Sequence, residues 1–124
     1  RLLLFVAHER ASDRPIAAAL NLIGAEALYG RYWGCLTEVP HLHFELCYYR
    51  AIDWALAHGL SRVEAGAQGG HKLARGYEPV PTWSAHYIPH PGFRAAVSDF
   101  LERERVAAEQ EAGWLAGHLP FRQD

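Results

Sequence analysis

Apolar positions fall in short blocks at the start of the chain and in helical stripes further on. Leu2 to Ala7 is a continuous apolar run of strand length. Glu9 to Arg14 is polar and carries Ser12-Asp13, a turn signal. Pro15 to Ile23 is apolar again and reads as the partner strand of a hairpin, closed by Gly24. From Ala25 to Cys35 the chain alternates, with Ala27, Tyr29, Arg31 and Trp33 on one face and Leu28, Gly30 and Tyr32 on the other. Its aromatic content favours a strand. Gly30 and Gly34 mark points where backbone can come close to a ligand.

The period then changes. Between His43 and His58, Phe44, Cys47, Tyr48, Ala51, Ile52 and Ala55 recur at helical spacing, with Pro40 ahead of the helix and Gly59 at its C-terminal cap. Ser61 to Ala65, centred on Val63, reads as a short strand after that helix. Gly66 to Pro81 is rich in Gly and Pro and reads as a loop, with one helical turn at His71 to Ala74. Thr82 to Ile88 alternates as a strand, and Pro91 opens a long final helix whose outer face is dense in Glu and Arg. The order is β-β-β-α-β-loop-β-α. It predicts an α+β domain with a mixed, mostly antiparallel sheet and one crossover.

Composition narrows the picture. At 124 residues the chain is one domain at most. A net charge of −2 with interspersed signs offers no basic stripe, so nucleic acid is not an expected partner. No apolar run reaches membrane-spanning length. Cys35 and Cys47 form no C-x-x-C pair and no disulfide framework, which points to a reducing, cytoplasmic setting. The sequence enters a core strand at once, so we expect it to be the C-terminal part of a longer protein.

Three segments carry candidate chemistry. Glu64-Ala65-Gly66-Ala67-Gln68-Gly69-Gly70-His71-Lys72 places a carboxylate and the chain's only Lys around small residues at a strand end. Glu64 is a candidate base, and Lys72 a candidate partner for phosphate or a developing oxyanion. The alternative is a tight loop with a solvated Lys72. His41-Leu42-His43-Phe44-Glu45 has H-x-H-x-E spacing, but a helix starting near His43 makes the three diverge, so no metal is expected. His43 or Glu45 at that helix start is a candidate for acid-base work or substrate contact. Tyr29-Gly30-Arg31-Tyr32-Trp33-Gly34-Cys35 sets Arg31 among aromatics, where it can clamp a carboxylate or phosphate. The alternative there is an aromatic core strand with Arg31 at its exposed edge. No phosphate-loop or nucleophile-elbow motif is present.

Leu28 to Cys35, His43 to Tyr49, Glu64 to Tyr77 and Ser84 to Ile88 together resemble the C-terminal half of the FemAB-like predicted N-acyltransferases. These are bacterial proteins tied to peptidoglycan biosynthesis or recognition and related to the GNAT superfamily. Glu64 to Tyr77 is the most specific part, and within it Lys72-Leu73-Ala74-Arg75-Gly76-Tyr77 is similar to the basic-Gly-aromatic segment after the fifth strand of the Fem aminoacyltransferases. The resemblance implies an incomplete GNAT-like sheet spanning residues 1–124 and transfer of an acyl or aminoacyl group to a small-molecule or peptide amine. It does not identify the donor, for which acyl-CoA and aminoacyl-tRNA are the candidates. Tailored to this sequence, it implies Glu64 or His43 as base and Lys72, with His71 and Arg75, on anionic groups. Arg31, Trp33, Glu45 and Gln68 would position substrate. GNAT enzymes hold the coenzyme A pyrophosphate with R/Q-x-x-G-x-G/A, and the junction Gly34 to His41 lacks that pattern. Two rival readings are a non-catalytic module that recognises a peptidoglycan precursor or a partner protein, and a metal enzyme using His41, His43 and Glu45. An exposed sheet edge would also allow pairing with a second copy.

Overall fold

A computed structural model describes residues 1–66 and 70–120. The chain forms two compact units, Arg1–Gln68 and Gly69–Asp124. In the first, β1 (Leu2–His8), β2 (Pro15–Ile23) and β3 (Ala27–Cys35) are followed by a helical run and then by β4 (Arg62–Glu64). The sheet order is β1-β2-β3-β4; β1, β2 and β3 pair antiparallel, and β4 joins β3 in parallel. The α+β class and the mostly antiparallel sheet therefore hold, with the crossover helix between the two parallel strands.

The β1–β2 turn is tied by backbone bonds from Glu9 N–H to Arg14 O and from Asp13 N–H to Glu9 O, both 2.8 Å. Asp13 adopts a φ of 54°, which Asp tolerates in turns. Ser12 Oγ donates to the Glu9 carboxylate across the same turn.

One face of the sheet carries the core. Ala17, Ala19 and Asn21 of β2 and Leu28 of β3 are buried there. The helical run covers them with Leu46, Tyr48, Ala51 and Ala55. Two alanines in a row along β2 let the helix sit close to the sheet. Phe5, Ala7, Trp33, Leu42 and Cys47 close the cluster around Ala17, Ala19 and Leu46.

The helical run has three parts: α1 (Leu42–Phe44), a π-helical turn (Glu45–Tyr49) and α2 (Arg50–Ala57). It ends as its sequence predicts. Gly59 takes a φ of 68°, Leu60 N–H bonds Ala55 O at 2.9 Å and Gly59 N–H bonds Leu56 O at 3.2 Å, which is a Schellman cap.

The alternation expected along β3 is interrupted. Leu20 pairs with Tyr32 and Asn21 with Gly30, so Arg31 is an extra residue, a β-bulge. Opposed residues on antiparallel strands share a face. Trp33, opposite Ala19, thus lies on the covered face with Leu28 and Gly30, and not with Ala27 and Tyr29 as simple alternation implies.

The second unit holds a 3₁₀ turn (Gly70–Arg75) and α3 (Pro91–Ala116). His90 caps α3 by accepting Phe93 N–H at 3.2 Å on Nδ1, with Pro91 in the first turn. Residues 77–89 form neither helix nor strand, which corrects the strand expected over Thr82 to Ile88. Its alternating pattern is real, but a strand needs a pairing neighbour, and none of the sheet's four strands comes from this segment.

Candidate functional site

The parallel pair β3–β4 runs Ala27↔Arg62, Leu28↔Val63 and Tyr29↔Glu64, and then ends. β3 continues for six residues through the Arg31 bulge to Cys35. Among the described residues no strand flanks that edge of β3 beyond Tyr29. On the covered face at this point lies a cavity of about 130 Å³, lined by Ala19, Asn21, Gly30, Arg31, Trp33, His43, Cys47, Tyr48 and Ala65, with Leu20 and Tyr32 at its rim. Among the described residues no carboxylate lines it.

The π turn shapes the helix side of this cavity. Arg50 N–H bonds Glu45 O, five residues back. On an α-helix, residues five apart diverge by about 140°. The wider π turn brings such pairs together twice. His43 and Tyr48 meet edge-on, their ring centroids 5.5 Å apart at 80°. On the outer side, Arg50 Nε donates to Glu45 Oε1 at 2.8 Å, and Arg50 Nη1 lies 3.8 Å from Asp53. π turns of this kind recur at functional sites. His43 also packs edge-on against Trp33, 5.3 Å away at 67°, and against Phe44 at 5.5 Å. The imidazole is thus framed by three aromatic rings.

The expected site residues separate into groups. Arg31, Trp33 and His43 meet at the cavity. Arg31 also sets its guanidinium 4.9 Å over the Tyr32 ring. Glu45 is on the outer side of the helix in its ion pair with Arg50. Glu64 pairs with Tyr29, which opposes Leu22 on the sheet face away from the helix. There its carboxylate accepts from Arg62 Nε at 3.0 Å. That bond, followed by one to Tyr29, raises the Arg62 pKa above its ordinary value. Glu64 and His43 therefore point to opposite faces of one sheet.

His71, Lys72 and Arg75 share the 3₁₀ turn of the second unit. Arg75 Nη1 donates to His71 O at 2.7 Å, and Tyr77 N–H bonds Lys72 O at 3.2 Å. Burial lowers the Lys72 pKa. Gln68 lies outside the described residues. His41, with a φ of 66°, stands just before the helix. Among the described residues no three His, Cys, Asp or Glu side chains are placed to hold a metal ion.

Sequence reasoning did not select Asn21, Cys47, Tyr48 or Ala65 for the site. Tyr48 read as part of a helical stripe, because its place depends on the π turn. Asn21 carried a signal: it is the one polar residue in the run Pro15–Ile23. Burial pushes the Cys47 thiol up to about 11, away from the thiolate form. No described helix is long and apolar enough to cross a membrane.

Comparison with curated proteins gives no match, and comparison with solved structures gives none. The FemAB-like family profile, described as peptidoglycan biosynthesis/recognition, matches residues 1–123. With the match running nearly end to end, the chain belongs to the FemAB-like family.

Proposed function

We propose that this chain is the C-terminal part of a GNAT-like N-acyltransferase domain that moves an acyl or aminoacyl group onto an amine of a peptidoglycan precursor. The observation that carries the reading is the parallel pair β3–β4, which stops at Tyr29↔Glu64 beside a bulge and a cavity. Backbone N–H and C=O groups on an open strand edge can bond an extended, amide-containing donor. They can also supply donors to an oxyanion as the acyl carbon becomes tetrahedral.

The reaction forms an amide C–N bond and breaks the donor's acyl bond to sulfur or oxygen. The attacking amine must lose a proton, and His43 is the residue in the cavity suited to take it. Trp33 and Tyr48 hold the imidazole by its edges. Arg31 positions the substrate at the mouth. In the second unit, Lys72, His71 and Arg75 bind anionic groups of the donor or acceptor, with Gln68 beside them in sequence. Acyl-CoA or aminoacyl-tRNA is the donor, the setting is cytoplasmic, and a second copy can pair along the outer edge of β1.

Incubating the full-length protein with each donor and a peptidoglycan stem peptide carrying a free side-chain amine tests this. Mass spectrometry should find the peptide heavier by one acyl or aminoacyl unit. Unmodified peptide with every donor would remove the reading. A second reading, a non-catalytic module that recognises a peptidoglycan precursor, draws on the missing pyrophosphate pattern between Gly34 and His41. Thermal stabilisation by stem peptides alone, with none from either donor, would favour it.

A further inference from the structure

Along β2 the covered face reads Ala17, Ala19, Asn21: two methyl groups and then a carboxamide. Asn21 is 1% exposed and is the one buried polar side chain among the described residues. A buried amide left without partners is destabilising, because the loss of its bonds to water is not offset. Its carboxamide offers two donor hydrogens and an acceptor oxygen. Among the described residues its side chain makes one hydrogen bond, from Nδ2 to Ala19 O at 3.3 Å, beyond the usual range for an N–H···O bond. Asn21 is among the residues that line the cavity.

Gly30, its partner across the ladder, completes the floor. Its φ is not among the positive values, which belong to Gly59, Gly66 and Gly76, so the backbone does not require glycine here. Space does. A Cβ at position 30 would stand 3.5 Å from Glu64 O, 3.8 Å from Ala65 Cα and 3.8 Å from Asn21 Oδ1. These are ordinary contact distances, so a methyl group fits without strain and occupies the gap beside the carboxamide. Among the described residues the cavity walls include Arg31 and no carboxylate. A cationic substituent would find no counter-charge there, whereas a neutral hydrogen-bonding group would find the amide.

We propose that Asn21 and Gly30 form an acyl-recognition subsite, in which the Asn21 carboxamide hydrogen-bonds a neutral polar substituent on the acyl group, such as a hydroxyl, and Gly30 leaves room for it. The word acyl rests on the transferase reading; the binding preference does not. A site built to bond a hydroxyl rejects the analogue that lacks one, because its own polar group is then left unpaired.

The test uses lactamide and isobutyramide, which have the same shape and differ by a hydroxyl in place of a methyl. Both are titrated into the full-length protein and followed by amide NMR, including the Asn21 side-chain signal, identified by its loss in Asn21→Leu. Lactamide should shift that signal and bind at least about tenfold more tightly than isobutyramide. Asn21→Leu should erase the difference. Gly30→Ala, which the contact distances tolerate, should weaken both ligands about tenfold or more while the remaining spectrum stays native, and it keeps the test standing if Asn21→Leu does not fold. Equal affinities, a preference that survives Asn21→Leu, unchanged binding in Gly30→Ala, or no binding of either amide would each overturn the subsite. An Asn21-dependent preference in a protein that transfers nothing would leave the subsite standing and remove the transferase reading instead.

Discussion

The two faces of the sheet are both apolar, but in different ways. The helix-covered face carries small residues along β2, Ala17 and Ala19, beside the larger Phe5, Leu28 and Trp33, and the polar groups Asn21, Arg31 and His43 line its cavity. The opposite face presents Leu2, Leu4, Val6, Leu22 and Tyr32, all exposed, and its polar groups are Arg62 and Glu64 at one end, already bonded to each other. The two alanines on β2 let the helix pack closely, and a cavity lies where a bulge and a glycine interrupt the β3 pattern. The difference teaches that packing fixes the surroundings of the polar groups on the covered face, which is where the proposed chemistry is placed.

The contrast breaks most visibly in turnover. His43→Gln should lower kcat/KM for acyl transfer by about a hundredfold or more, the loss of a positioned proton acceptor. Glu64→Gln should stay within about threefold of the parent, since its carboxylate serves Arg62 on the other face. Stability should divide the same way. Leu28→Ala, at a fully buried position, should cost about 2–5 kcal/mol in a denaturant titration. Leu4→Ala, on the open face at 55% exposure, should cost less than about 1 kcal/mol.

The cysteines sharpen the comparison further. Cys35 is exposed, whereas burial raises Cys47 from 9.0 to about 11. Burial thus keeps Cys47 protonated and covered near pH 8, whereas Cys35 is exposed, so iodoacetamide should label Cys35 first. The folded state holds the Cys47 proton more tightly than the unfolded chain does. That contribution to stability is therefore full below about pH 9 and is lost as pH rises toward 11, and Cys47→Ala should remove this alkaline slope. The smallest effect belongs to the outer ion pair. Arg50 and Glu45 are substantially exposed, so Arg50→Ala should cost less than about 1 kcal/mol in stability.

Much of the fold was legible because period and punctuation agree. Leu2 to Ala7 and Pro15 to Ile23 could only be strands once a polar turn separated them, and Gly59 ended its helix by the cap that glycine favours. What stayed hidden was each one-residue insertion. The Arg31 bulge reverses the facing of Trp33, and the π turn at Glu45–Tyr49 brings Tyr48 under His43. Neither changes composition or hydrophobic count, so neither leaves a mark in an alternation or a helical stripe. Thr82 to Ile88 failed for the opposite reason, as its strand pattern is present without a neighbour to pair with. Arg31, Trp33 and His43 were chosen for their chemistry and meet at one cavity, whereas Glu45 and Glu64 were chosen for the same reason and sit outside it.

The most direct test is to map where the acyl donor binds. The full-length protein, labelled with nitrogen-15, is titrated with the donor that supports transfer, and backbone amide shifts are assigned to the two faces. The account predicts the largest shifts at Asn21, Gly30, His43 and Tyr48, with Leu2, Leu4 and Val6 unmoved. Shifts confined to Leu2, Leu4, Val6 and Tyr32, with Asn21 and His43 unmoved, would contradict it and return the chemistry to the open face.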